Sequence, residues 1–291
     1  MRVIRARVLG CCFGVRRAME TAYTELASAA ATGRRCYSIG PLIHNPPALE
    51  DLAGKGLEVL DARKLPAVLS GAVLIIRAHG ICPLLETALM ERGGRVVDAT
   101  CPKVKASQMR ARDLSRAGRP VFLAGERAHA EVAGIQGYAP GCLVVGKPEE
   151  AARAARQLAQ SPIPNPQSPA LLAQTTISPG EYDAIAAAIG QYFPDIEVID
   201  TICPATRERQ EALRELCREV DAALIAGGRG SANTRRLLAI ARESGLPAWI
   251  AESAADLPPG ITGFARLGLS AGASTPDWVI DRIEAALGGS S

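Results

Sequence analysis

VVDATCP at residues 96–102 and VIDTICP at residues 198–204 are near copies, each a β-branched run followed by an aspartate, a cysteine and a proline. Both read as an apolar run that ends in a turn where a helical pattern begins. A third setting, VLGCCFGV at residues 8–15, has the strand and the turn without the Asp or Pro. Cys12, Cys101 and Cys203 therefore recur at intervals of roughly a hundred residues, each where an apolar run passes into a helical pattern. Repetition at that period predicts three similar supersecondary units, each contributing one thiol to a shared centre.

The rest of the chain has the same alternation. Short apolar runs at 73–76, 96–97, 121–124, 171–173, 196–199, 222–226 and 265–269 read as strands. Segments of helical period at 15–30, 104–116, 179–192, 206–218, 234–244 and 277–287 separate or follow them. This is the pattern of an α/β fold with parallel sheets. SPIPNPQSP at 161–169 suits neither element and reads as a surface loop.

Composition narrows the function classes. A chain of 291 residues that is 48% hydrophobic can bury a large core, and length alone leaves one to three domains open. The net charge of +3, without a dense Lys/Arg block, argues against a nucleic-acid surface. MRVIRAR before VLGCC looks briefly like a lipoprotein leader, but too few apolar residues precede Cys11. No stretch approaches the roughly 20 apolar residues of a membrane span, so a cytosolic protein is expected. Eight cysteines are too sparse for a secreted disulfide scaffold and favour metal or redox roles. Cys36, Cys142 and Cys217 read as small buried apolar side chains, whereas Cys11 and Cys82 adjoin motifs.

Polar and glycine-rich motifs follow the expected strands: RAHG with His79, GERAHAE with His129 and Glu131, QTT with Thr175, GGRGSAN with Ser231 and Asn233, and SAGAST with Ser274. Carboxyl ends of parallel strands are where ligands bind in such sheets. The chain has three histidines, His44 in GPLIHNP, His79 and His129, and each lies at such an edge. Imidazoles, hydroxyls and glycine-supplied amides suit a phosphate or diphosphate. No GxGxxG or GKS/GKT loop occurs, which disfavours a generic nucleotide-binding protein. For the three repeated cysteines, zinc, a disulfide with a spare thiol, or an iron–sulfur cluster all remain open. No CxxC knuckle is present, so three isolated thiolates fit a cubane with one open iron better. Such an iron is a Lewis acid and a one-electron conduit.

These motifs, in this order and over nearly the whole chain, resemble the 4-hydroxy-3-methylbut-2-enyl diphosphate reductases (IspH, also called LytB). The resemblance rests on CFGV at Cys12, GPLIHNP, RAHG, DATCP, His129-x-Glu131, QTT, the Cys203 motif with RQEA after it, SxN at Ser231 and Asn233, and SAGAST. It implies a trefoil of three α/β lobes with parallel sheets around a central cluster-containing pocket. The lobes would be 13–101, 102–199 and 200–291, the last completed by the N-terminal strand 1–12. It also implies a 4Fe-4S cluster on Cys12, Cys101 and Cys203, with His44, His79, His129, Thr175, Ser231, Asn233 and Ser274 binding the substrate. Glu131 would supply the proton through Thr175, beside His129. A ferredoxin- or flavodoxin-like protein would supply electrons, and the products would be isopentenyl and dimethylallyl diphosphate.

The chain departs from the family pattern at several positions. Ala232 stands where a second serine is common, Ala130 replaces a proline and implies a looser turn, and Cys82 replaces a serine. Arg207, Glu208 and Arg209 charge the helix after Cys203. Two rivals follow: a paralogue that keeps the cluster and acts on a related substrate, and a non-enzymatic iron–sulfur redox sensor. Retention of Glu131 and Thr175 argues against the sensor, which needs neither.

Overall fold

The computed structural model describes residues 1–161 and 167–288. Twelve strands and ten α-helices occur among these residues. The strands are β1 (Arg2–Arg5), β2 (Cys36–Ile39), β3 (Leu57–Leu60), β4 (Val73–Ile76), β5 (Arg95–Asp98), β6 (Val121–Ala124), β7 (Leu143–Val145), β8 (Ala170–Ala173), β9 (Glu197–Val198), β10 (Ala222–Ala226), β11 (Ala248–Ala251) and β12 (Arg266–Ala271). The helices are α1 (Phe13–Thr32), α2 (Pro46–Gly54), α3 (Pro83–Glu91), α4 (Pro102–Arg116), α5 (Ala130–Tyr138), α6 (Pro148–Ala159), α7 (Pro179–Gly190), α8 (Pro204–Cys217), α9 (Ala232–Glu243) and α10 (Asp277–Ala286).

The strands form three four-stranded sheets, in the orders β1-β12-β10-β11, β3-β2-β4-β5 and β7-β6-β8-β9. The fold is α/β, as expected, and neighbouring strands such as β1 and β12, β4 and β5, β6 and β8, and β8 and β9 run parallel. By compactness the chain divides into two units, Met1–Val59 with Pro204–Ser291, and Leu60–Cys203.

Both faces of the central strands are buried, which is why these strands are continuous apolar runs. In the first unit, Ala222, Leu224 and Ala226 of β10 turn to one side and pack with Leu267, Leu269 and Ile283. The alternate residues Ala223 and Ile225 pack with Leu213 of α8 and Leu237 and Ile240 of α9. In the second unit, Phe122 and Ala124 of β6 pack with Ile185 and Ile189 of α7. Val121 and Leu123 pack instead with Ala111 and Leu114 of α4 and Ile135 of α5. The period of two along each strand thus assigns different helices to the two faces. Cys36 and Cys217 are buried, in keeping with apolar roles, whereas Cys142 is half-buried and not the buried side chain expected.

A local expectation changes before the first cysteine. The first strand is Arg2–Arg5, and Val8–Leu9 before Cys12 is not strand. Gly10 turns the chain there at φ 82°, and a Cβ on it would sit 2.6 Å from the Asp277 carboxylate, so the segment bends instead of pairing. Most of the loop expected at 161–169 lies outside the described residues. No described helix is long and apolar enough to cross a membrane.

Candidate active site

Parallel strands present their carboxyl ends on one edge, so loops from adjacent strands meet there. Each of the three cysteines exploits this in the same way. The Cys12 amide donates to the Ala273 carbonyl at 3.0 Å, the Cys101 amide to Ala78 at 2.9 Å, and the Cys203 amide to Thr175 at 3.0 Å. The acceptor loops follow β12, β4 and β8, the sheet neighbours of β1, β5 and β9. Each cysteine is thereby tied to a loop that carries Ser274, His79 or Thr175.

Cys12 caps α1 and Cys101 caps α4, neither with a side-chain cap bond, and Cys203 directly precedes α8. No acidic residue lies in the first turn of α1, α4 or α8. A helix N-terminus carries partial positive charge, so these half-buried thiols lie where negative charge is favoured. The donor set fits an anionic sulfur-ligated cluster: three sulfurs, no carboxylate beside them in the first turns, and no paired CxxC knuckle for zinc.

In the Leu60–Cys203 unit, four predicted residues come together. The rings of His79 and His129 stack edge to face, with centroids 5.3 Å apart. His129 is the N-cap of α5, and its Nδ1 accepts from the Glu131 amide at 3.2 Å, leaving Nε2 to carry the proton in the neutral ring. The His129 amide bonds to the Glu126 carbonyl at 2.8 Å, so the turn is closed by two hydrogen bonds although Ala130 stands in place of a proline. Glu131 is 1% exposed. One carboxylate oxygen accepts the Thr175 amide at 2.7 Å and the other the Thr175 hydroxyl at 2.8 Å. Burial pushes its pKa up to about 7 against the opposing pull of those two bonds.

Two buried amides that the motif reading left unassigned brace this arrangement. Gln174 accepts from the Glu126 amide at 2.9 Å and donates to the Thr176 hydroxyl at 2.8 Å, locking the QTT loop to the turn before His129. Gln108 of α4 lies under the His79 turn, where a Cβ on Gly80 would be 2.4 Å from its Nε2 and one on Gly134 of α5 would be 3.1 Å away. Its position in sequence gave no signal, being an ordinary polar residue in a helical stretch. Gln174, beside Thr175 in QTT, was the readable one.

The unit formed by Met1–Val59 and Pro204–Ser291 gathers His44, Ser231, Asn233 and Ser274. The Ser274 hydroxyl donates to the His44 carbonyl at 3.1 Å. Gly228 lets the GGRG loop approach the same carbonyl, since a Cβ there would be only 2.3 Å from it. Ser231 caps α9 by accepting the Thr234 amide at 3.3 Å. Asn233 is 3% exposed, yet neither its Oδ1 nor its Nδ2 has a hydrogen-bond partner among the described residues. A buried amide left open at both atoms is costly unless a ligand completes it. Ala232 is buried beside it.

Residues 3–288 match the family model described as LytB protein. The chain belongs to the LytB family. Among relatives of this LytB chain, it is 44% identical to the 4-hydroxy-3-methylbut-2-enyl diphosphate reductase of Treponema denticola, covering 98% of both chains. It is 39% identical to the enzyme of the same name from Solidesulfovibrio magneticus, covering 99% of both. A solved structure of the E-1-hydroxy-2-methyl-but-2-enyl-4-diphosphate reductase from Plasmodium falciparum is similar with a TM-score of 0.85 at 26% identity, over 96% of this chain and 86% of that one. A structure described as (E)-4-hydroxy-3-methyl-but-2-enyl diphosphate reductase, the terminal enzyme of the non-mevalonate pathway, is similar with a TM-score of 0.69 at 36% identity, over 99% of each chain.

Proposed function

We propose that this LytB chain removes the allylic hydroxyl of (E)-4-hydroxy-3-methylbut-2-enyl diphosphate, giving isopentenyl and dimethylallyl diphosphate. Near-complete coverage by relatives of that name supports the reaction. The observation in the fold that carries it is the buried Glu131 carboxyl on Thr175, with a pKa of about 7. A group that is half protonated near neutrality is a competent acid.

Cys12, Cys101 and Cys203 would hold a 4Fe-4S cluster. When bound, such a centre supplies single electrons and a Lewis-acidic iron for the hydroxyl. Overall, two electrons and two protons convert the C–O bond to a C–H bond and release water. Three lobes, 13–101, 102–199 and 200–291 with 1–12, would each bring one cysteine and its own loops to the site. The three sheets support that division.

The protein's own groups handle the diphosphate and the protons. His44, His79, His129, Ser231, Asn233 and Ser274 bind the diphosphate, with Asn233 using the two amide atoms it leaves open. Protonated Glu131 reverses its bond to the Thr175 hydroxyl and donates to it. The Thr175 hydroxyl passes its own hydrogen on to the substrate, while the Thr175 amide keeps the carboxyl in place. The His129 ring is held with Nδ1 accepting, so in the neutral ring its Nε2 carries the hydrogen. Electrons come from a ferredoxin- or flavodoxin-like protein, and the reducing cytosol is the fitting compartment.

Anaerobic reconstitution tests the reading. A brown protein with about four irons that oxidises a reduced dye only when the hydroxylated diphosphate is added is the expected result. A colourless protein with stoichiometric zinc, or a cluster protein inert toward this substrate, would overturn it.

A further inference from the structure

Arg209 lies on α8, six residues past Cys203, and is 2% exposed. Its Nη2 donates to the Gly10 carbonyl at 2.6 Å and its Nη1 to the Ala205 carbonyl at 3.1 Å. Gly10 is two residues before Cys12, and Ala205 is two residues after Cys203. One guanidinium therefore spans the segment leading into one cysteine and the segment leading out of another. The Gly10 side of this link is narrowly defined. Its φ of 82° and the Asp277 carboxylate 2.6 Å from a would-be Cβ restrict this position to glycine.

A neutral amide could have joined a carbonyl to a helix at far lower desolvation cost, because a buried guanidinium carries a full charge out of water. The choice of a full charge makes physical sense beside a centre that is itself anionic. Three thiolates around an iron–sulfur cubane leave a net negative charge, and that charge grows on reduction. Two residues of chain reach at most ~7 Å, and six helical residues rise about 9 Å. The Arg209 charge thus lies within the range over which charge and hydrogen bonding set cluster potentials.

We propose that Arg209 is a positioning residue for the iron–sulfur centre, pinning the Gly10 and Ala205 segments together and holding the reduction potential up through its charge. The proposal rests on the reading of Cys12, Cys101 and Cys203 as cluster ligands.

Two variants of the reconstituted full chain separate the two roles, read by redox titration of the cluster signal and by the rate at which a chelator strips iron. Arg209→Lys keeps the charge and loses the planar fork, so its potential stays near the parent's while iron is lost several-fold faster. Arg209→Gln keeps one donor and loses the charge, so its potential moves to a more negative value. A parent-like potential in Arg209→Gln overturns the electrostatic role, and parent-like iron loss in Arg209→Lys overturns the positioning role. If Arg209→Gln does not fold, Arg209→His replaces it. Its potential should then fall more steeply with rising pH than the parent's, and a parallel pH dependence overturns the claim. A parent protein that never takes up a cluster sinks the underlying reading, whereas a loaded parent with unaltered variants sinks this proposal alone.

Discussion

Glu131 and Thr175, 44 residues apart, are joined by two hydrogen bonds, the Thr175 amide to one carboxylate oxygen at 2.7 Å and its hydroxyl to the other at 2.8 Å. The pair exists because β6 and β8 are adjacent and parallel, so the loops that follow them share an edge. Glu131→Gln keeps the shape and a bond to the Thr175 amide but cannot give up a proton. Turnover is expected to drop about 10²–10⁴-fold with the cluster signal and substrate binding retained. Full activity in this variant would remove Glu131 from the proton path.

The same carboxyl predicts a pH-dependent stability. Its pKa rises from an ordinary 4.5 to about 7, first because of burial. Between those values the folded chain holds a proton that the unfolded chain has released, so stability falls as pH rises through this window. Integrated, the loss is about 3 kcal/mol. Glu131→Gln escapes it. Its melting temperature should match the parent's near pH 4.5 and exceed it above pH 7, and a constant offset across that range would contradict the assignment.

Asn233 predicts a trade between stability and affinity. Both of its amide atoms are buried without a partner among the described residues. Asn233→Leu removes that penalty, so the ligand-free protein gains about 1–3 kcal/mol in denaturant unfolding while affinity for the diphosphate substrate falls. A variant that loses stability and keeps affinity would show that the amide serves the fold instead.

Ala232 sits at the first position of α9, beside the Ser231 cap. Ala232→Ser adds a hydroxyl next to the proposed diphosphate groups. A hydrogen bond to a charged group contributes about 1.5–3 kcal/mol, so binding should tighten roughly ten- to a hundredfold. Equal or weaker affinity by calorimetric titration would refute the missing-hydroxyl argument.

Gly228 is a test of close approach. Its Cβ would lie 2.3 Å from the His44 carbonyl oxygen and 3.0 Å from the carbonyl carbon, backbone atoms that cannot swing aside. Gly228→Ala is expected to displace the His44 loop, costing about 1–3 kcal/mol of stability and raising KM with a smaller change in kcat. An unchanged KM would mean that His44 does not bind substrate.

The strands at 73–76, 121–124 and 222–226 were legible to the residue, because a strand buried on both faces must be apolar at every position. The flanking β9 keeps only Glu197–Val198, where alternating exposure blurs the pattern. Helix α5 was hidden for a different reason. Gly134 and Gly137 weaken its helical signal, and both are there for packing. A Cβ on Gly134 would press on the Gln108 amide at 3.1 Å, and one on Gly137 would lie 2.1 Å from the Cβ of Cys82.

By itself the sequence determined the α/β class, the repeated cysteine setting and the edge on which the polar motifs fall. Those follow from side-chain period and from turn chemistry, which act over a few residues. Only the tertiary structure decided which loops are neighbours, and with that the Glu131–Thr175 pair, the Ser274–His44 contact and the burial of Arg209 against Gly10. Strand order and burial are collective properties of the packed chain. The raised pKa of Glu131 and the open amide of Asn233 exist only once water has been removed from around them.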